Sequence, residues 1–179
     1  MATEAADADL LRQVRDGRTD AYTQIFKRHR DHAFGLAYYY TKNKEDALDV
    51  VQDAFIKAYQ NLSKFDFKRE FGPWLLTIVR NQAIDHLRKR NRRKAYDLPE
   101  VLPDRGAQRR TERGLLRMEI RRALDKLPPE QREIIYLKDY QGHSYAEIAE
   151  IQAIPLGTVM SRLHHARKKL IHYLDDSDA

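Results

Sequence analysis

Apolar residues recur every three or four positions along most of the chain, and strict alternation of apolar and polar residues is nowhere sustained. The first spacing is typical of amphipathic α-helices, whereas half-buried strands alternate with a period of two. The pattern predicts helices over 9–16, 19–41, 43–62, 71–94, 112–126 and 130–140, then a short helix from Ser144 and a longer one from Leu156. The predicted fold class is therefore all-α.

Residues that favour helix ends support these boundaries. Thr19 and Asn43 stand where helix N-caps are expected. Pro73 suits a first helical turn, where its missing N–H is not needed. Ser144 and Glu147 have the spacing of a capping box, in which each side chain bonds the amide of the other residue.

The helical pattern is interrupted between residues 97 and 111. This stretch has two prolines, one glycine and many charges but little apolar material. Such a composition is typical of a linker. The chain is therefore predicted to form two small helical domains, over 10–94 and 112–174, joined by a flexible linker over 95–111.

Composition limits the classes of protein to which the chain can belong. Of its 179 residues 34% are charged, and no apolar stretch approaches the ~20 residues that cross a bilayer. The acidic start lacks the basic and apolar segments of a signal peptide. Without cysteine there is no disulfide framework and no cysteine-based zinc site. These features predict a cytoplasmic protein with no membrane insertion.

The charges are unevenly distributed along the chain, whose formal net charge is +6. Residues 45–53 carry four carboxylates and no lysine or arginine, whereas residues 86–94 carry six lysines and arginines. An acidic surface and a basic surface in one chain predict that it binds both another protein and nucleic acid.

Two predicted helices separate polar residues from an apolar stripe. In the helix over 43–62 the predicted stripe is Leu48, Val51, Phe55, Ala58 and Leu62, while Asp46, Asp49 and Asp53 share another face. In the last helix the predicted stripe is Val159, Leu163, Ala166, Leu170 and Leu174, with Thr158, Ser161, Arg162, His165 and Lys169 outside. A short helix and a tight turn precede this last helix. The three elements together predict a helix-turn-helix whose second helix enters the major groove of DNA.

Several motifs resemble bacterial sigma factors of the sigma-70 family, in particular the extracytoplasmic-function (ECF) group. The motifs that resemble region four are Leu127-Pro-Pro-Glu-Gln-Arg132, Ser144-Tyr-Ala-Glu-Ile-Ala149 and Ile154-Pro-Leu-Gly-Thr-Val-Met-Ser-Arg-Leu163. Region two is resembled by Glu45-Asp-Ala-Leu-Asp-Val-Val-Gln-Asp-Ala-Phe55 and by Phe71-Gly-Pro-Trp-Leu75 with Asn81. The resemblance extends from about residue 10 to 174, and the two motif sets come in the family's order with a linker between them.

The resemblance implies a transcription factor and not an enzyme. Such a protein is the dissociable specificity subunit of RNA polymerase, which directs the core enzyme to promoters and helps to open the duplex. The implied partners are core RNA polymerase, promoter DNA and an anti-sigma factor, with no cofactor and no metal. The implied polymerase-binding residues are Asp46, Asp49, Gln52 and Asp53.

Two sets of residues are implied to bind DNA. For the minus-ten element they are Phe65, Phe67, Lys68, Arg69, Arg80, Asn81, Arg88 and Lys89. For the minus-thirty-five element they are Ser144, Thr158, Ser161, Arg162, His165 and Lys169. Of the neighbouring aromatic residues, Phe71 and Trp74 are expected to pack in the hydrophobic core, because they open an amphipathic helix. For Phe65 and Phe67, packing and base stacking both remain open.

The sequence departs from the family pattern in the helix-turn-helix. Many relatives have leucine at the position of Gln152 and glycine at that of Ala153, and often lysine or arginine at those of Met160 and His165. Ala153 is expected to cost up to about 1 kcal/mol if the turn requires a positive φ. The changes in the second helix predict a weaker or differently spelled upstream promoter element.

Two other functions are considered from the residues alone. His29 with His32 and Asp85 with His86 suggest a metal phosphohydrolase, although no third ligand follows at a suitable spacing. A two-domain repressor or activator would also contain a helix-turn-helix, but it would bind DNA alone as a dimer. The first half of the chain has no signature of the ligand-binding or phosphoacceptor domain that such a regulator needs, and co-purification with core polymerase separates the two classes.

Overall fold

The computed structural model describes residues 6–94 and 112–175, and every regular element in these ranges is helical. The chain divides between Pro99 and Glu100 into two compact units. The first contains α1 (Asp7–Arg15), α2 (Asp20–Thr41), α3 (Lys44–Gln60), a 3₁₀ turn (Leu62–Lys64) and α4 (Phe71–Lys94). The second contains α5 (Glu112–Asp125), α6 (Pro129–Ile135), a π-helical turn (Tyr136–Tyr140), α7 (Tyr145–Gln152) and α8 (Leu156–Asp175). The predicted linker over 95–111 lies outside the described residues.

In the first unit α2, α3 and α4 pack against one another, and α1 packs on α2. The hydrophobic core is built from the apolar stripes of all four helices and includes Leu11, Ile25, Leu36, Val51, Leu75 and Val79. α1 is also held by polar contacts, because Arg28 donates to Asp7 at 2.9 Å and His29 Nε2 lies 2.5 Å from the same carboxylate. α1 is thus joined to α2 both by apolar packing and by polar contacts.

The helix ends of the first unit largely follow the sequence signals. Asn43 caps α3, since its side chain accepts from the amides of Glu45 and Asp46 at 2.8 and 3.2 Å. α4 begins at Phe71 and has Pro73 in its first turn, as predicted. Thr19 occupies the N-cap position of α2 but has helical φ and ψ and forms no side-chain cap hydrogen bond. The position predicted for Thr19 is therefore right, but the capping interaction is not formed.

One residue of the predicted stripe of α3 faces outward. Val51, Phe55, Ala58 and Leu62 are buried, but Leu48 is 50% exposed. The prediction that Leu48 packs in the hydrophobic core is wrong, because α2 and α4 cover only part of the apolar side of α3.

In the second unit α8 packs against α5, α6 and α7 around a hydrophobic core that includes Leu127, Ile134, Leu137, Ile148, Ile151 and Leu163. The helix predicted over 130–140 widens into the π-helical turn at Tyr136. Ser144 and Glu147 form the predicted capping box at the start of α7. α7 ends at Gln152, and the next residue, Ala153, has a left-handed φ of 54°, so the turn does adopt the conformation that Ala disfavours.

Candidate nucleic-acid and protein interfaces

The acidic face of α3 is only partly open to solvent. Asp49, Gln52 and Asp53 are exposed. Asp46, whose side chain is 25% exposed, instead contacts Arg90 at 3.0 Å and His86 at 3.3 Å. The structure thus separates Asp46, which joins α3 to α4, from the three residues that can meet a partner directly.

An apolar groove of about 770 Å³ borders this acidic face. It lies between α2 and α3 and is lined by Tyr22, Phe26, Leu48, Val51, Gln52, Phe55, Ile56, Tyr59 and Gln60. Burial raises the pKa of Tyr22 above its ordinary value, and its hydroxyl donates to the carbonyl of Phe55 at 2.7 Å. The side chain of Tyr22 is therefore held in place at the groove wall by this hydrogen bond.

The loop between the 3₁₀ turn and α4 is folded around an aromatic cluster. Phe65 is 5% exposed, and its ring centroid lies 4.8 Å from that of Trp74, 5.5 Å from that of Phe67 and 5.8 Å from that of Phe71. The structure therefore places Phe65 in the hydrophobic core, where its ring packs against the other rings of the cluster and supports the loop. Phe71 is buried and Trp74 is half-buried, in agreement with the expected packing.

The tip of the same loop presents basic side chains. Asp66 organises the turn, because it accepts from the Lys68 amide through its side chain at 3.0 Å and from the Arg69 amide through its carbonyl at 2.9 Å. The Lys68 and Arg69 side chains are exposed, and Phe67 is half-buried between the tip and the cluster.

α4 carries four of the residues predicted to bind the minus-ten element. Asn81, Arg88 and Lys89 are exposed and Arg80 is half-buried. Arg88 lies 3.5 Å from Asp85 on the preceding turn, an exposed pair that leaves the guanidinium accessible.

Within the helix-turn-helix, α7 and the turn that follows it hold α8 in position. The amide of Ser144 donates to Glu147 at 2.6 Å, and Ser144 Oγ accepts from the Glu147 amide at 3.2 Å. Burial disfavours the charged Glu147 carboxylate, but the hydrogen bonds with Ser144 and the interactions with His143 together hold the pKa of Glu147 below its ordinary value. Ser144 is thus used for capping, although its backbone remains at the exposed start of the helix.

The outer face of α8 matches the predicted face closely. Ser161, His165 and Lys169 are exposed, whereas Thr158 and Arg162 are half-buried. Arg162 also lies 3.2 Å from Glu130 at the start of α6. Val159, Leu163 and Ala166 are buried on the opposite face, so the polar residues project away from the hydrophobic core of the unit.

The histidines considered as metal ligands are used in other contacts. His29 contacts Asp7, and its ring packs edge-on against Phe71 with centroids 5.3 Å apart. His86 contacts Asp46. Within 6–94 and 112–175 no three His, Cys, Asp or Glu side chains form a group that could hold a metal ion. In the same ranges no helix is long and apolar enough to span a membrane.

Comparisons with known proteins agree with this division of the chain. Residues 25–93 match the family model of sigma-70 region 2, and residues 117–170 match that of sigma-70 region 4. The chain is 35% identical over 173 residues to the ECF RNA polymerase sigma factor SigM of Mycobacterium tuberculosis, covering 96% of this chain and 86% of the relative. It is 34% identical to the ECF RNA polymerase sigma factor SigW of Bacillus subtilis, covering 93% and 95% respectively.

Solved structures show the same likeness. CnrH in complex with the cytosolic domain of CnrY superposes with a TM-score of 0.71 at 30% identity, covering 96% of this chain and 99% of that one. The sigma factor RpoE in complex with the anti-sigma factor NepR from Bartonella quintana superposes with a TM-score of 0.66 at 27% identity, covering 88% and 98%. With an aromatic loop and an acidic helix in one unit and a helix-turn-helix in the other, the chain belongs to the ECF sigma factors of the sigma-70 family.

Proposed function

We propose that this chain binds core RNA polymerase, directs it to specific promoters and helps to open the duplex at the start site. As a sigma factor it is a transcription initiation factor and not itself a catalyst. The observation that carries the proposal is the pairing, in one chain, of an exposed polar face on α8 with an aromatic and basic loop before α4. Because the partner is RNA polymerase, the protein acts in the cytoplasm.

The proposed polymerase-docking surface combines Asp49, Gln52 and Asp53 with the neighbouring apolar groove. Carboxylates at the edge of an apolar groove suit a partner whose surface joins basic side chains to apolar ones, since charges steer the encounter and apolar burial supplies affinity. Asp46 is held beside these residues by Arg90 and His86 and is proposed to support the same surface.

The loop before α4 and the outer side of α4 are proposed to read and hold the minus-ten element. Bases cannot be inspected on all edges while stacked, and extruding one costs a few kcal/mol that stacking and hydrogen bonds can offset. The proposed contacts are Phe67, Lys68, Arg69, Arg80, Asn81, Arg88 and Lys89. The buried ring of Phe65 holds the loop in shape.

α8 is proposed to read the minus-thirty-five element in the major groove. The proposed contacts are Ser144, Thr158, Ser161, Arg162, His165 and Lys169. Met160 is exposed on α8 but cannot form the arginine–guanine pair of hydrogen bonds that a basic residue could form there. We therefore place more of the sequence discrimination in the minus-ten loop.

An anti-sigma factor is the proposed regulator. RpoE was solved in complex with the anti-sigma factor NepR, and CnrH was solved in complex with the cytosolic domain of CnrY. A regulator that covers the acidic face of α3 would block polymerase docking. A pull-down of the tagged chain should recover one stoichiometric partner in addition to polymerase, and recovery of polymerase alone would contradict this part of the proposal.

Run-off transcription with core polymerase on randomised promoter templates tests the function directly. Selected templates should share an upstream and a minus-ten element. Arg162→Ala should lower transcription by a factor equivalent to about 1–3 kcal/mol and relax preference at one upstream position if Arg162 reads a base. Glu130→Gln, which removes the partner of Arg162 but keeps its guanidinium, is the matched control and should preserve the preference. Templates selected without any upstream preference would show that α8 does not read DNA.

A further inference from the structure

Two arginines of α1 cover the ring of Phe67. The guanidinium carbon of Arg15 lies 5.1 Å from the ring centroid, and that of Arg12 lies 5.9 Å from it. Behind Phe67 stands the buried ring of Phe65, 5.5 Å away between centroids. The Phe67 ring therefore lies between the edge-on ring of Phe65 and two guanidinium groups, which place cations beside the loop.

α1 holds these guanidinium groups from a fixed position. Leu10, Leu11 and Val14 bury one side of the helix, and Asp7 joins it to Arg28 and His29. α1 also packs on the 3₁₀ turn from which the loop emerges. The two cations are thus supplied by a second element, which packs on both α2 and the 3₁₀ turn.

Arg15 retains most of its hydrogen-bonding capacity. Its side chain is 54% exposed, and Asp16 Oδ1 lies 3.8 Å from its Nε, too far for a hydrogen bond. Arg12 is more engaged, since its Nη1 donates to Asp9 at 2.8 Å. A guanidinium stacked on an aromatic ring presents its N–H edge outward, and phosphate is the ligand that this edge fits in bidentate fashion.

We propose that Arg15, assisted by Arg12, binds the phosphate backbone of the unpaired promoter strand next to the minus-ten loop, so that α1 forms part of the DNA-binding surface. This inference rests on the proposed function of the loop. Aromatic rings interleaved with cations are typical of surfaces that bind single strands. Phe67, proposed above as a minus-ten contact, also acts as a positioning residue here, because its ring orients the guanidinium groups.

The test uses holoenzyme reconstituted from core polymerase and the full-length chain, with a promoter template that carries a preformed bubble over the minus-ten element. Binding is measured between 50 and 200 mM KCl, a range in which phosphate contacts change affinity strongly. Arg15→Ala should weaken binding by about 5–10-fold and reduce the slope of log K against log salt by about 0.7, the value for one single-strand phosphate contact. Arg15→Lys should keep the slope, because it keeps the charge.

Arg30→Ala is the matched control. Arg30 lies on α2, is similarly exposed at 56%, and like Arg15 is followed by an aspartate within 4 Å. Wild-type affinity and slope are expected for this variant. Equal losses in Arg15→Ala and Arg30→Ala, or an unchanged slope in Arg15→Ala, would overturn the proposal. A loss in Arg15→Ala confined to affinity for core polymerase would assign the stack to protein binding and also overturn it. Failure of wild-type holoenzyme to bind the template would count against the proposed function instead.

Discussion

The two helical units support their functional surfaces in different ways. In the first, residues far apart in sequence meet, as when Asp46 contacts Arg90 and Asp7 contacts Arg28 and His29. In the second, the turn of the helix-turn-helix holds two unfavourable residues side by side. Gln152 is 6% exposed, with no hydrogen-bond partner for its Oε1 or Nε2 among the described residues, and Ala153 has a positive φ.

This difference indicates where stability and function are coupled. The aromatic cluster of the first unit fixes the loop through buried area, so loop shape and unit stability depend on the same side chains. In the second unit α8 is held by its own buried stripe. The turn before it has two residues that lower the stability of the fold, and the remaining packing offsets this loss. Substitutions at the turn should therefore change the stability of the second unit more than they change the surface that α8 presents.

The largest expected effect comes from Phe65→Ala, which removes the centre of the aromatic cluster. Truncating a buried phenylalanine typically costs about 3–5 kcal/mol. Trp74 is the only tryptophan in the sequence and its ring lies 4.8 Å from Phe65, so its fluorescence in urea reports on the first unit alone. Phe26→Ala, at an exposed ring, should cost clearly less. Similar losses from both variants would show that the cluster is not central to the unit.

Gln152→Leu should act in the opposite direction in the second unit. It removes two buried polar atoms that lack partners, and the new side chain has a similar volume. The expected stabilisation is about 1–3 kcal/mol. Circular dichroism should show a later transition for the second unit, while the Trp74 transition stays unchanged. Destabilisation by Gln152→Leu would mean that the amide has a role in the turn.

A smaller effect is expected where α1 joins α2. Hydrogen bonding to His29, together with Arg28, holds the pKa of Asp7 below its ordinary value of 3.8 despite the opposing effect of burial. A depressed carboxyl pKa contributes stability that is present above the unfolded value and is lost as pH falls through the folded value. Asp7→Asn should therefore cost about 0.5–1.5 kcal/mol at pH 5.5, and this difference from wild type should shrink below pH 3.8.

Urea unfolding, followed by Trp74 fluorescence at pH 5.5 and again below pH 3.8, measures the difference in stability between Asp7→Asn and wild type. Asp16→Asn is the control, because Asp16 is exposed and lies 3.8 Å from Arg15. A wild-type advantage over Asp7→Asn that persists unchanged in acid would show that the ionised carboxylate is not its source.

The sequence predicted the fold well because its strongest signals are local. Apolar periodicity, the Asn43 cap, Pro73 and the Ser144 capping box each act within one or two helical turns, and all were found. The outer face of α8 was predicted for the same reason, since helical geometry alone fixes which residues oppose Val159 and Leu163.

What the sequence did not predict depends on contacts between distant segments. Leu48 continues the apolar spacing of α3, and periodicity cannot tell whether a neighbour covers it. Asp46 looks like its acidic neighbours until Arg90, 44 positions away, is placed beside it. Phe65 remained open because an aromatic residue in a loop packs or stacks according to its tertiary surroundings.

The smallest expected change in stability accompanies reversal of charge on the acidic face of α3. Asp49 and Asp53 are exposed and lie off the buried stripe, so Asp49→Lys/Asp53→Lys should shift the stability of the first unit by no more than about 0.5 kcal/mol. Affinity for core polymerase should nevertheless fall at least about tenfold, because two attractive charges become repulsive. Asp20→Lys/Asp31→Lys reverses two exposed charges on α2 and should bind core polymerase normally. Equal affinity of the two double variants, measured by titration of labelled protein with core polymerase, would refute docking through α3. If only Asp49→Lys/Asp53→Lys loses affinity for core polymerase, and its Trp74 unfolding transition is unchanged, then this face of α3 acts in binding and not in folding.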